Sequence, residues 1–221
     1  MTKSHNHSII QSFNQLLVFV RHGETEGQSS IRYYGRTDVP LSAHGCVQMR
    51  CVQRVLAGHR FARVYASELC RAVAAAEIIS GTAASGTTAS GTTAVTRVAG
   101  FNEIDFGDWE GLTIEEIAAR APALYARWVR NRSDFHYPGG ECTRAFRARV
   151  VAALHGVLAA APTGDLLFVL HKGVIRAILM ELLRLDEAQR HNLVLALGSI
   201  HIVRRGNDGW KAGVLDRTDH L

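Results

Sequence analysis

Two histidines and two arginines fall where apolar runs end, and together they are suited to phosphoryl chemistry. The stretch Leu16-Leu17-Val18-Phe19-Val20 stops at Arg21-His22-Gly23-Glu24-Thr25. Leu166 to Leu170 stops in the same way at His171-Lys172-Gly173, and Phe61 to Ala66 leads through Ser67-Glu68-Leu69-Cys70 to Arg71. Guanidinium forks match phosphate oxygens, and backbone N–H groups at helix starts favour the same charge. A neutral imidazole nitrogen in such a place can attack phosphorus and leave a phosphohistidine. Neighbouring positive charge disfavours the imidazolium and keeps His22 able to attack. A single Arg-His pair at a strand end reads as a solvated surface feature. Two histidines out of eleven, joined by two arginines at matching junctions, point to a shared pocket.

For these side chains to meet, their strands must lie side by side and parallel. Short branched and aromatic runs bounded by polar residues read as buried parallel strands, and ligands of open α/β sheets gather past the carboxyl ends. Ser42 reads as the N-cap of a helix whose face carries Val47, Met49, Val52, Val55 and Leu56 and which stops at Gly58. An alanine-rich helix runs from Ser67 to about Ile79, and Val95 to Val98 reads as a short strand. Phe101 to Gly111 alternates acidic and aromatic residues and matches no helical period. Thr113-x-x-Glu116 is a capping-box pattern, so a helix is expected to run toward Val129 despite Pro122. Tyr137-Pro138-Gly139-Gly140-Glu141 reads as a turn, and Thr143 as the cap of a long helix ending near Pro162. After a helix over Val174 to Leu183, short strands are expected around Leu193 to Leu197, Ile200 to Arg204 and Trp210 to Leu215. This alternation predicts a three-layer α/β/α sandwich with a mainly parallel central sheet.

At 221 residues and 47% hydrophobic content, the chain suits one catalytic domain over residues 15–216, with a loose arm at 1–14 and a tail at 217–221. Ser80 to Ala94 forms three tandem pentads without charge or large side chains. Such a segment buries too little apolar area to offset its ordering entropy, so it reads as an expanded flexible loop whose deletion leaves activity largely intact.

The net charge of +5 comes from scattered arginines rather than a basic block, which suits a small anionic substrate. No nucleic-acid-binding signature is present, so no nucleic-acid partner is expected. No apolar run is long enough for a bilayer and the first residues carry no apolar leader core, so a cytoplasmic protein with no membrane contact is expected. Cys46, Cys51, Cys70 and Cys142 show no metal-ligand spacing and read as small buried hydrophobes in a reducing compartment. Asp105, Asp108 and Glu110 read as surface turn acids, Trp109 as packing or pocket wall, Lys172 as exposed, and Glu24 and Thr25 as loop hydrogen-bonding groups. No metal or cofactor is expected, and the oligomeric state has no signature.

Five ordered motifs, Arg21-His22-Gly23-Glu24-Thr25, Gly35-Arg36-Thr37-Asp38-Val39-Pro40-Leu41-Ser42, Tyr65-Ala66-Ser67-Glu68-Leu69-x-Arg71-Ala72, Asn102-Glu103-x-x-Phe106-Gly107-x-Trp109-Glu110-Gly111 and His171-Lys172-Gly173-Val174-Ile175-Arg176, resemble the histidine phosphatase superfamily. The resemblance covers about Leu16 to Val203 and implies a phosphoglycerate mutase-like fold and a phosphomonoesterase that works through phosphohistidine. Phe106-Gly107-Asp108-Trp109-Glu110 and Pro138-Gly139-Gly140-Glu141 resemble the alpha-ribazole phosphatases of cobalamin nucleotide-loop assembly. Carried over by position, the resemblance makes His22 the nucleophile and Glu103 the proton donor and later base. Arg21, Arg71 and a protonated His171 hold the phosphoryl oxygens. Gln28 stands where the family commonly has asparagine, so a substrate contact there would come through a longer arm. Leu170 and Cys142 replace serines that are frequent at their positions. The chain lacks a long arginine-bearing insertion after the glutamate motif, which favours hydrolysis over mutase-type transfer. A broad-specificity sugar or metabolite phosphatase and a non-enzymatic binding protein are the other readings.

Overall fold

Along the first strand, β1 (Leu16–Arg21), side chains alternate between two cores, as the period-2 pleat requires. Leu17 and Phe19 face one side of the sheet, Val18 and Val20 the other, and all four are buried. The computed structural model describes residues 15–27, 31–81 and 94–221. The expected N-terminal arm, Gln28 and the body of the Ser80 to Ala94 repeat lie outside the described residues.

After β1 come α1 (Ala43–Val55), β2 (Arg63–Ala66), α2 (Cys70–Ser80), β3 (Val95–Arg97), α3 (Ile114–Arg120) and α4 (Pro122–Arg130). Then follow α5 (Thr143–Ala160), β4 (Leu166–Leu170), α6 (Lys172–Leu183), α7 (Glu187–His191), β5 (Ile200–Gly206) and β6 (Gly209–Arg217). The strands form a sheet of order β3-β2-β4-β1-β5-β6. β3, β2, β4 and β1 run parallel, while β5 and then β6 return antiparallel. Helices cover both faces, giving the expected mainly parallel α/β/α arrangement.

The core explains why β4 sits centrally. All five of its residues are fully buried, which only an apolar run without alternation tolerates. On one face Phe168 stacks between Phe19 and Tyr65 at ring distances of 5.0 and 5.1 Å, under α5 and α6. On the other face Val18, Val20, Val64 and Val169 meet Met49 and Val52 of α1 and the alanines of α2. The small alanine side chains let α2 pack close to the sheet.

Several local expectations are corrected. The helix opened by the Thr113–Glu116 capping box ends at Arg120, and Pro122 starts a second helix at its first position, where the missing N–H costs nothing. Thr143 does not cap α5 with its side chain; its hydroxyl donates to the Phe135 carbonyl, and Cys142 stands at the N-cap. Leu193 to Leu197 forms no strand, and α7 precedes it, opened by an Asp186–Gln189 capping box. The four cysteines are free and half-buried rather than fully buried. No helix of the described residues is long and apolar enough to cross a membrane.

Candidate active site

Sheet order and register bring three of the chemical junctions together. β2, β4 and β1 are adjacent and parallel, with Ala66 opposite Val169 and Val169 opposite Val20. One residue further along, Ser67, Leu170 and Arg21 reach the same level, so His22, His171 and the start of α2 emerge from one edge. Glu103 arrives from beyond β3, after a short 3₁₀ turn at Ala99–Phe101.

His22 is buried, and its Nδ1 lies 2.7 Å from the Gly23 carbonyl oxygen. A carbonyl only accepts, so Nδ1 carries the proton and Nε2 keeps its lone pair. Burial first, then Arg71 and Arg21, push the imidazole pKa well below its ordinary value. His22 is thereby held neutral, in the tautomer a nucleophile needs. The His171 ring stands edge-on to it, 5.1 Å between centroids.

His171 is fully buried with Nε2 2.7 Å from the Ser67 hydroxyl, while its Nδ1 has no partner. Burial, followed by Arg71, His22 and Arg21, pushes its pKa well down too. Burial and the neighbouring guanidinium groups thus favour the neutral ring, whereas the protonated form implied by the resemblance belongs with a phosphoryl group beside it. Two guanidinium groups beside a desolvated ring leave the imidazolium without support.

Arg71 is almost wholly buried and donates to three carbonyls of one loop, Thr37 at 2.9 Å, Tyr34 at 3.2 Å and Gly35 at 2.7 Å. Arg21 donates to the Leu195 carbonyl at 2.8 Å, and its Nε has no partner. Burial lowers the Arg21 pKa to about 10, so it stays charged at neutral pH. Glu103 is the foremost charge offsetting burial for both arginines, and no salt bridge joins it to either among the described residues. A buried cation without a paired anion is costly, and an arriving phosphoryl group removes that cost.

Glu103 is fixed by two backbone amides: Ile104 N–H donates to Oε1 at 3.0 Å and Gly173 N–H to Oε2 at 2.9 Å. A β-carbon at Gly173 would collide with this carboxylate, so a larger residue there would push Glu103 out of this position. Glu103, Arg21 and His22 line a cavity of about 720 Å³; the buried Arg71 and His171 are not among its lining residues. Aromatic side chains, among them Tyr33, Phe106, Trp128 and Tyr137, form another wall.

Some contributors escaped the sequence reading. Ser67 was visible inside a motif, yet its contact with His171 depends on strand register. It supplies His171 with a hydroxyl partner, although Leu170 stands where a serine is frequent. Glu110 is no loose surface acid: it accepts N–H bonds from Gly35, Arg36, Thr37 and Phe106 at 3.0–3.1 Å. It thus clamps the loop whose carbonyls hold Arg71. Trp109 is buried packing, and Lys172 is exposed at the cavity rim, both as expected. Cys70 beside Arg71 is an unreactive thiol, pushed up to about 11 by burial and by Asp38.

Comparison with known proteins fits this geometry. Residues 17–217 match the model of the histidine phosphatase superfamily, branch 1. A curated protein of Bacillus subtilis, the uncharacterized phosphatase PhoE, is 32% identical over 203 residues, 91% of this chain and 94% of that one. The adenosylcobalamin/alpha-ribazole phosphatase of Salmonella typhimurium is 30% identical over 172 residues, 78% of this chain and 81% of that one. The solved structure of Bacillus stearothermophilus YhfR superposes with a TM-score of 0.80 at 22% identity, covering 93% of this chain and 98% of that one, a likeness of fold.

Proposed function

This chain belongs to the histidine phosphatase superfamily, branch 1, and acts on phosphate esters; we propose that it hydrolyses small phosphomonoesters through a phosphohistidine formed at His22. The observation that carries this reading is the Nδ1–H of His22 held on the Gly23 carbonyl, which aims the chemistry at Nε2. The Nε2 lone pair attacks phosphorus as the ester P–O bond breaks and its electrons pass to the leaving oxygen. Glu103 supplies that oxygen with a proton. Water then attacks the phosphohistidine, Glu103 takes its proton, and the P–N bond breaks to return neutral His22 and inorganic phosphate.

Arg21 and Arg71 stabilise the equatorial oxygens, where charge lies in a phosphoryl transfer. His171 contributes one N–H rather than a full charge. The Ser67 hydroxyl, which accepts from the Leu69 amide at 3.3 Å, donates to Nε2, and the proton then sits on the partnerless Nδ1, ready for a phosphoryl oxygen.

The Salmonella relative brings alpha-ribazole phosphate to this chain as a candidate substrate, for which the aromatic wall offers stacking surface. His22→Ala should abolish both phosphate release and the acid-labile phosphoenzyme seen after rapid quench with labelled ester; retained turnover would refute the nucleophile. Incubation with 3-phosphoglycerate and a bisphosphate primer tests the mutase alternative. Rapid isomerisation without net phosphate release would overturn hydrolysis.

A further inference from the structure

Beyond the phosphoryl-holding groups, the cavity carries more positive charge than the reaction uses. Arg32, Arg132, Arg147, Lys172, Arg176 and Arg190 all face it, against the carboxylates Glu103 and Glu115. Arg32 is committed to Glu116 and the Gly111 carbonyl, and Arg147 and Arg190 share Glu187. Arg132, Lys172 and Arg176 make no salt bridge among the described residues. Arg132 lies over the Trp128 ring, 3.9 Å from its centroid. Arg176 spends one N–H on the Leu193 carbonyl at 3.1 Å, and its Nε is buried with no partner.

These groups are crowded rather than scattered. Arg190 and Arg132 lower the Arg176 pKa in addition to its burial, and Lys172, though its side chain is exposed at the rim, is pushed down to about 8 by partial desolvation, Arg21 and Arg176. One loop positions both ends of the arrangement, with Leu195 holding Arg21 and Leu193 holding Arg176. Arg176 follows Lys172 by one turn of α6, a rise of about 6 Å along the helix. That places it a short carbon chain away from the helix start where Glu103 is held.

We propose that Arg176, with Arg132 and Lys172, forms a second anion subsite, and that the preferred substrates are phosphomonoesters whose leaving group carries a carboxylate or second phosphate a few carbons from the ester. The subsite rests on the phosphomonoesterase reading. Bringing an anion between the half-buried Arg176 and the exposed Arg132 and Lys172 relieves their repulsion and fills open donors, so such a leaving group is favoured over a neutral one of equal size.

The test compares kcat/KM for matched pairs: 3-phosphoglycerate against glycerol 1-phosphate, and 1,3-propanediol bisphosphate against its monophosphate. At least a tenfold preference for the anion-bearing member of one pair is expected, and which pair shows it identifies carboxylate or phosphate. The preference should shrink about tenfold in Arg176→Gln, less in the exposed Arg132→Gln, and fall as ionic strength rises. Should Arg176→Gln fold poorly, Arg132→Gln and the salt series still decide. Equal rates within both pairs, a preference untouched by Arg132→Gln and by salt, or alpha-ribazole phosphate outrunning every anion-bearing ester would overturn the subsite while leaving hydrolysis intact. No phosphate release from any ester, with no phosphoenzyme, would overturn hydrolysis and the subsite with it.

Discussion

Ser67–His171 and Ser199–His201 are the same pair of side chains used in two different ways. The contacts are 2.7 and 2.9 Å, and all four residues are fully buried. In the second pair every polar atom is answered. The Asp216 amide donates to His201 Nδ1 at 3.0 Å, so Nε2 carries the proton and donates to Ser199, whose hydroxyl donates to the Ala196 carbonyl at 2.7 Å. In the first pair His171 Nδ1 is buried without a partner. Leaving a buried polar atom unmet costs roughly 1–3 kcal/mol, so the closed pair is built for stability and the open one for something that arrives.

Removing each imidazole sharpens the contrast most. His171→Ala, like Arg71→Ala, should lower kcat by on the order of 10²-fold or more, the scale of deleting a transition-state donor, while circular dichroism and the thermal midpoint stay near wild type for His171→Ala. A near-normal rate would mean that His171 never meets the substrate. Ser67→Ala should cost less, about tenfold, because the ring remains and only its tautomer is released. The more telling readout there is imidazole nitrogen NMR, which should lose the Nδ1–H form of His171; an unchanged tautomer would remove Ser67 from the mechanism.

His201→Ala should do the opposite, costing about 1–3 kcal/mol in urea unfolding with kcat/KM changed only a few-fold. A large loss of activity without loss of stability would erase the distinction between the pairs. The same contrast extends to pH. Burial depresses the His201 pKa from 6.5 to about 4, so the unfolded chain takes up a proton that the folded one refuses. Its stabilising contribution is full above pH 6.5 and is lost as pH falls toward 4. Replacing it should reduce the pH slope of stability in that window by one proton, about 1.4 kcal/mol per pH unit. His22 and His171, depressed in the same direction, keep the remaining slope.

The fold was legible where composition and period agree. Buried strands at Leu16–Arg21 and Leu166–Leu170, the Ser42 cap and the Thr113–Glu116 box depend on neighbours in sequence, and each formed. Leu193 to Leu197 misled because its buried residues, Leu193 and Leu195, serve a loop: Leu195 has a positive φ of 55° and turns its carbonyl to Arg21. Apolarity reports burial, not hydrogen-bonding partners. Glu110 misled for the converse reason. A carboxylate in a turn looks solvated until the amides of a distant loop are found on it.

The sequence by itself determined which groups are present and that they fall at strand ends, because a strand's carboxyl end is marked by an apolar run stopping at polar residues. Five motifs in order were enough to carry the family and to nominate His22, Arg21, Arg71, Glu103 and His171 for the site. Only the tertiary structure decided their states. The His22 tautomer depends on a carbonyl beside it, the neutral His171 on burial next to Arg71, and the free donors of Arg176 on which carboxylates lie within reach. Charge and proton position are set by desolvation and by contacts across the sheet, and these come from residues far apart along the chain.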